Sequence, residues 1–277
     1  MLLDGFRCAE EIRKKIAEDI KTYGYDITLA VIIVGDNPAS QIYVANKQKA
    51  CEEVGIKSVR IALDSDTSLK ELIDKINELN EDASVNGILV QLPLPSHLDE
   101  ETIINTIDPK KDVDGLTIIN QGKLFKGEEA VLPATPKGII TLLKNNNVQI
   151  KGANAVVLGR SILVGKPVAM LLLKENATVT ICHSKTENLK EVTKKADILV
   201  VAIGKPKFVT ADMVKKDAAV VDVGINRVQG KVCGDVDFDA VSQIAGYISP
   251  VPRGVGPMTI CSLMKNTLAA GKKEYYK

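Results

Sequence analysis

The residues best suited to acid–base chemistry fall on three short segments in the first half of the sequence. Tyr43 and Lys47 lie in a stretch, about 39–54, whose apolar spacing predicts a helix ended by Gly55. At 100° per residue, Tyr43, Lys47, Ala50 and Val54 fall within roughly 60° of one another, so Lys47 sits inside the apolar stripe. A lysine there either snorkels, with its stem packed and its ammonium in water, or is held in a cleft with a depressed pKa and can transfer protons. In the second case Tyr43 offers a ring face to a planar ligand and a phenol within reach of Lys47. Gln91 closes a predicted strand over 86–92, just before Pro93-Leu94-Pro95, where its amide could orient a lysine, bind a ligand or remain solvated. Asp112-Val113-Asp114-Gly115 sets two carboxylates two residues apart in a loop. That spacing fits a turn cap or a calcium-like fragment. It is too short for an EF-hand loop and lacks further ligands, so no metal is expected. A single carboxylate facing the N–H groups of a flat heterocycle is a better use of it.

A second group lies in the other half. The predicted strand 153–158 runs into Gly159-Arg160-Ser161-Ile162-Leu163-Val164-Gly165-Lys166-Pro167. A glycine directly after a strand lets the backbone turn tightly beside a ligand, and Pro167 suits the first turn of a helix whose free N–H groups would face a phosphate. The spacing is not Gly-x-Gly-x-x-Gly, and an ordinary strand–helix turn would read similarly. The next predicted strand, 178–182, shifts the balance, because it ends in His183-Ser184-Lys185-Thr186 rather than in an acid. An acid there would bond a ribose 2′-hydroxyl. Hydroxyl and cationic groups, with Arg160 and Ser161 on the neighbouring loop, suit a 2′-phosphate, unless His183 and Lys185 are merely solvated.

The elements that must position these groups alternate between short β-branched runs and amphipathic segments, the pattern of parallel sheets covered by helices. In the first half, 6–22 reads as a helix, 28–34 as a buried strand, and a Ser68/Glu71 capping box opens a helix with Leu69, Leu72, Ile73, Ile76 and Leu79 on one stripe. Residues 108–136 are rich in Gly, Pro and Asp with weak periodicity. In the second half, strands over 153–158, 178–182, 198–203 and 218–223 alternate with helices over 167–174 and 187–195. That succession predicts a doubly wound, Rossmann-like sheet. A last helix is expected from Pro257 to about Gly271. The boundary is placed near residue 118, giving one domain over 1–118 and a second over 119–256, with the final segment 257–277 packing back on the first.

Bulk properties exclude several classes. With 277 residues the chain is long enough for two domains, and 45% apolar with 26% charged residues is ordinary for a globular protein. A formal net charge of +1 offers nothing to nucleic acid or an anionic membrane. No segment reaches the roughly 18 apolar residues of a membrane span, and the start lacks the basic and apolar regions of a secretory signal. Five scattered cysteines, odd in number and never Cys-x-x-Cys, point to reduced thiols in the cytoplasm and against zinc. Two histidines, His97 and His183, are a poor inventory for His-based catalysis.

Taken together these segments carry a resemblance that runs nearly end to end. Tyr43-Val-Ala-Asn-Lys47, Val90-Gln-Leu-Pro-Leu-Pro95, Asp112-Val-Asp-Gly115, Pro133-Ala-Thr-Pro136, the Gly159–Pro167 loop, Val221-Asp-Val-Gly-Ile-Asn226 and Pro250-Val-Pro-Arg-Gly-Val-Gly-Pro-Met-Thr259 occur in this order. The chain resembles the bifunctional methylenetetrahydrofolate dehydrogenase/cyclohydrolases. One departure is Arg253, where that family's pattern has glycine. The resemblance implies two α/β domains around a cleft, the second a Rossmann-like doubly wound parallel sheet, with folate on the first and NADP on the second. It also implies a homodimer formed through the cofactor domains and a place in one-carbon metabolism, serving purine, methionine and histidine biosynthesis. By the resemblance, the residue at Lys47 is the main catalytic group, Tyr43 packs on the folate, Gln91 tunes the lysine and Asp114 holds the pterin. Gly159, Arg160, Ser161, Gly165, Ser184 and Ile225 match positions that contact the nucleotide.

The implied chemistry is asymmetric. Removing hydride from a methylene between two nitrogens yields an amidinium-like cation and needs positioning rather than a protein base. Hydrolysis of that cation needs a proton-transfer group with a pKa near the working pH, and Lys47 is the candidate. Three other readings fit parts of the sequence. A monofunctional dehydrogenase keeps every motif, and an NADP oxidoreductase acting on hydroxy or keto acids explains the second half only. A non-enzymatic dinucleotide sensor would bind nicotinamide without folate.

Overall fold

The computed structural model describes residues 1–274, and the last three residues of the expected 257–277 segment lie outside it. The chain forms two compact units. One comprises residues 11–134 and the described residues from 260 onward, and the other residues 1–10 and 135–259. In chain order the first elements are α1 (Gly5–Tyr23), β1 (Thr28–Val34), α2 (Pro38–Val54), β2 (Lys57–Leu63), α3 (Leu69–Glu81), β3 (Gly87–Val90), α4 (Glu100–Thr106) and α5 (Ile118–Lys126). There follow α6 (Ala134–Asn145), β4 (Asn154–Leu158), α7 (Gly165–Lys174), β5 (Thr178–Cys182), α8 (Leu189–Thr193), β6 (Ile198–Val201), β7 (Ala219–Asp222), β8 (Asn226–Val228), β9 (Lys231–Cys233), α9 (Phe238–Val241), β10 (Tyr247–Ile248) and α10 (Val255–Gly271).

In the first unit the sheet is three-stranded and parallel, in the order β2-β1-β3. Its centre is the continuous apolar run of β1, buried on both faces as a central parallel strand requires. Ala30, Ile32 and Val34 pack against Ile88, Leu72, Ile76 and Ile103 in one core. Helix α3 has the capping box its sequence predicts, with Ser68 and Glu71 each satisfying the other's backbone N–H. Strand β2 escapes the sequence reading because it is an edge strand, and Lys57, Ser58 and Arg60 leave it no continuous apolar run. Helix α5 escapes for a related reason. It buries only Asn120 and Leu124 and leaves Ile118, Ile119 and Phe125 exposed, so no apolar stripe marks it. Its ends are legible afterwards: Thr117 caps the start and Gly127, at φ +74, the finish.

The second unit contains a five-stranded parallel sheet in the order β10-β7-β6-β4-β5. Val156, Leu158, Leu199, Val201 and Val220 supply one face of its core. Strand β4 lies between β5 on one side and β6 on the other, so the winding direction reverses there, as in doubly wound folds. Observed elements are shorter than expected from the sequence: 198–203 becomes Ile198–Val201 and 187–195 becomes Leu189–Thr193. The first residues of the chain extend this sheet. Leu3 N–H donates to Ile248 O at 2.9 Å, and Ile248 N–H to Met1 O at 3.0 Å.

Candidate active site

Lys47 sits on α2, whose first turn is fixed by the Asn37 side chain accepting from the N–H groups of Ala39 and Ser40, with Pro38 opening the helix. The lysine lies one turn beyond Tyr43, on a half-buried face backed by Ala50 and Val54. Its Nζ donates to Oε1 of Gln91 at 3.0 Å. Gln91 follows directly on β3, its N–H paired with Ile32 O at 2.9 Å, and its Nε2 donates to Leu92 O at 2.6 Å. Only an amide nitrogen can face that carbonyl, so the amide oxygen must face Lys47. The ammonium is thereby aimed by a side chain that has no freedom to turn.

Burial pushes the Lys47 pKa down, and the negative charge of Asp114, with Cys51 behind it, pulls partly back. Burial pushes the Asp114 carboxyl up, opposed by Lys47 and reinforced by Asp112. Both partners are thus moved toward their neutral forms, the direction that suits a group exchanging protons in catalysis. Cys51, one turn beyond Lys47, is buried and its thiol is pushed up to about 12, which keeps it protonated and out of nucleophilic chemistry. Tyr43 remains 41% exposed, with its ring open to a ligand.

The two carboxylates of the Asp112–Gly115 segment have different uses. Asp112 is buried and accepts from the N–H groups of Gly115, Leu116 and Thr117 at 2.9, 3.2 and 2.8 Å and from Asn120 Nδ2 at 2.8 Å. It is the turn cap among the sequence-based alternatives. Gly115 stands at φ +70, where an added Cβ would come within 2.6 Å of Pro133 N. Asn266 of α10 donates to both Val113 O and Leu132 O at 2.9 Å, holding the loop from its other side. Asp114, half-buried, is left to face Lys47. Asn120 and Asn266 were not legible as site supports, since their partners are backbone carbonyls and a side chain distant in sequence.

On the other unit, Gly159 leaves β4 at φ +126, and a Cβ there would meet Ala202 O at 2.2 Å. Gly165 opens α7 where a Cβ would lie 2.3 Å from Gly159 O. The glycines therefore let two strand-end loops close on each other without side chains between them. Ser161 Oγ accepts from Val164 and Gly165 N–H at 3.2 and 3.3 Å, shaping the loop. Arg160, Ser161, Ser184 and Lys185 are exposed at adjacent strand ends. His183 is used locally, its Nδ1 accepting from Lys185 N–H at 3.1 Å. Ile225, after β7, is 54% exposed. A dinucleotide with a 2′-phosphate fits this donor set: a glycine turn, hydroxyls and a guanidinium, with no carboxylate where β5 ends. Among the described residues no His/Cys/Asp/Glu group could hold a metal ion.

Comparison with known proteins agrees with both halves. Residues 3–114 match the tetrahydrofolate dehydrogenase/cyclohydrolase catalytic domain, and residues 133–275 match the NAD(P)-binding domain of the same family. The bifunctional protein FolD of Methanospirillum hungatei is 57% identical over 96% of each chain, and that of Bacillus cytotoxicus is 53% identical over 99% of this chain and 97% of its own. The crystal structure of the bifunctional FolD enzyme from Campylobacter jejuni is 48% identical, covers 99% of each chain and has a TM-score of 0.97. The structure of the Trypanosoma brucei enzyme, complexed with NADP and an inhibitor, is 36% identical over 99% of this chain and 98% of its own, with a TM-score of 0.94. The chain belongs to the tetrahydrofolate dehydrogenase/cyclohydrolase family.

Proposed function

We propose that the chain's two activities draw on different residues. These activities are NADP-dependent oxidation of 5,10-methylenetetrahydrofolate and hydrolysis of the methenyl product to 10-formyltetrahydrofolate. Bound NADP supplies a hydride acceptor. Arg160, Ser161 and Ser184 would hold its phosphate-bearing end, Gly159 and Gly165 would let the backbone approach it closely, and Ile225 would lie against its nicotinamide half. Tyr43 packs on the folate and Asp114 takes the amino and ring N–H groups of the pterin. In the hydrolytic step water adds to the methenyl carbon and loses a proton, one carbon–nitrogen bond breaks as the released nitrogen gains a proton, and the oxygen gives up its remaining proton to solvent as it becomes the formyl carbonyl. Lys47 carries the first proton from the oxygen to the nitrogen, and Gln91 sets its direction and basicity.

The observation that carries this reading is the part-buried Lys47 Nζ–Gln91 Oε1 contact at 3.0 Å, within the electrostatic reach of Asp114. A monofunctional dehydrogenase would leave this lysine without work, and the curated relatives are bifunctional by name. The test is Lys47→Met, assayed at two wavelengths for reduced cofactor and for the methenyl intermediate. Cyclohydrolase activity falls at least about 100-fold, in the range general acid–base catalysis supplies, while dehydrogenase activity falls far less. Equal loss of both with the fold intact refutes the role.

Folate thus belongs to the unit built on β1–β3 and NADP to the unit built on β4–β7. A homodimer through the cofactor unit is supported by β5, an edge strand with Thr178, Thr180 and Ile181 exposed beside an exposed Leu173. The scattered cysteines fit a reducing cytoplasm, and no described helix is long and apolar enough to cross a membrane. The formyl product fits a supply of one-carbon units to purine, methionine and histidine biosynthesis.

A further inference from the structure

Two carboxylates in the cofactor unit are buried beyond any need of the sheet that carries them. Asp235 is fully buried, and its Oδ2 accepts from the N–H groups of Ile203 and Gly204 at 2.7 and 2.9 Å. Its Oδ1 accepts from Asn226 Nδ2 at 2.9 Å. Asp222, at the end of β7, is buried beneath it. Its Oδ1 accepts from Gly224 and Asp235 N–H at 3.0 and 2.9 Å, and its Oδ2 from Val236 N–H at 3.0 Å. Ser249 Oγ accepts from the Asp222 N–H at 2.8 Å. The backbone is tailored to admit both groups. A Cβ on Gly224 would sit 2.3 Å from the Asp235 carboxylate, and one on Gly234 would sit 1.8 Å from Asp222 Oδ2.

The positions of the joined segments give this network its meaning. Ile203 and Gly204 follow β6, and Gly224–Asn226 follow β7, so Asp235 ties together the loops at the carboxyl ends of two neighbouring parallel strands. The next strand is β4, whose Gly159 touches the first of these loops at Ala202 O. Dinucleotides lie across the carboxyl ends of such strands, at the point where the winding reverses. Two buried carboxylates are a costly way to join loops, since each must be fully hydrogen-bonded to offset the loss of its hydration. What they give in return is a fixed direction for Ile225, which lies between the two anchored residues Gly224 and Asn226.

We propose that Asp235, backed by Asp222, is a positioning residue for the nicotinamide half of NADP, holding the 203–204 and 224–226 loops in register for hydride transfer. This rests on the assignment of NADP to this unit. The test is Asp235→Asn, which keeps the shape but turns an NH2 toward N–H donors. Three quantities are measured: dehydrogenase kcat, the primary isotope effect with dideuterated methylene substrate, and hydrolysis of supplied methenyltetrahydrofolate in the absence of NADP. A misplaced hydride acceptor lowers the first by about tenfold or more and raises the second, and leaves the third within about twofold. Asn226→Ala, which removes one tether and leaves both carboxylates, shifts the same quantities in the same direction but less. Loss of both activities in proportion, or no change in the isotope effect in either variant, overturns the proposal and leaves the pair a structural brace. Failure of the underlying assignment looks different: wild-type protein would show no NADP binding by titration calorimetry, and Arg160→Ala would leave the titration unchanged.

Discussion

Gln91 offers the sharpest test of the hydrolytic site, because it can be altered to move the lysine's basicity in either direction. Its Oε1 accepts from Lys47 Nζ at 3.0 Å, a charge-assisted bond that favours the ammonium. Such a bond contributes about 1.5–3 kcal/mol, and one pKa unit corresponds to about 1.4 kcal/mol. Gln91→Met therefore lowers the Lys47 pKa further, adding to the depression that burial already imposes. Gln91→Glu does the reverse. A carboxylate at that distance would attract the ammonium by about 5 kcal/mol at an effective dielectric constant near 20, and its own desolvation beside Asp114 offsets more than half of this. The net effect is a raised Lys47 pKa. If the deprotonated amine accepts the proton from water, cyclohydrolase rate rises with pH through the Lys47 pKa. The limb then moves to lower pH in Gln91→Met and to higher pH in Gln91→Glu. At a fixed pH on the wild-type limb, the Glu variant loses about tenfold or more and the dehydrogenase rate changes much less. The assay is a pH profile of methenyl hydrolysis, with the non-enzymatic rate subtracted at each pH. Limbs that stay in place, or that move the same way in both variants, refute the account of Gln91 as the setter of Lys47.

Three further outcomes are expected. Arg160→Ala weakens NADP binding by about tenfold while leaving NAD binding nearly unchanged, read by titration with each cofactor, and equal weakening would show that Arg160 is not a 2′-phosphate ligand. Asp112→Ala leaves the N–H groups of Gly115, Leu116 and Thr117 without their acceptor, so urea unfolding shows a loss of about 3 kcal/mol or more and folate KM rises as Asp114 drifts; an unchanged midpoint would mean that water replaces the carboxylate fully. Gly159→Ala puts a methyl 2.2 Å from Ala202 O at φ +126, costing about 1–3 kcal/mol of stability and weakening NADP, and a variant as stable as the parent would show that the turn is not as tight as drawn.

The sequence and the structure agree best where one physical signal dominates. Strand β1 was legible because a central parallel strand is buried on both faces and reads as a continuous apolar run. The lysine in the α2 stripe was legible because a charge at an apolar position is conspicuous. The choice between snorkelling and a cleft was not, since it depends on Gln91 and Asp114, which arrive from 44 residues away and further. Asp112 and Asp114 could not be told apart by spacing, because alternate residues of a loop need not share a direction. Their difference is set by three backbone N–H groups that only the folded turn points at Asp112. Asp235 gave no signal at all: its partners are backbone groups of loops that meet only when the sheet is assembled.

Arg253 shows the same division most directly. As sequence it is a departure from the glycine of the family's Pro-Val-Pro-Gly-Gly pattern, with no reason given. In the structure it stands at φ +85, the left-handed region where a side chain costs about 1–2 kcal/mol and glycine costs nothing. The guanidinium lies over the Phe6 ring, 4.9 Å from its centroid, and Phe6 N–H donates to Arg253 O at 3.0 Å. An exposed cation–π contact returns about 0.5–1 kcal/mol, so about half of the backbone cost is offset by a contact that glycine could not make. The substitution therefore exchanges backbone freedom for a side-chain tie between the Pro250–Gly254 loop and the start of α1. A loop so tied has fewer conformations to lose when a ligand orders it, so Arg253→Gly is expected to change ligand affinity, read by titration, while leaving kcat for both reactions nearly unchanged; a changed kcat with unchanged affinity would refute this account.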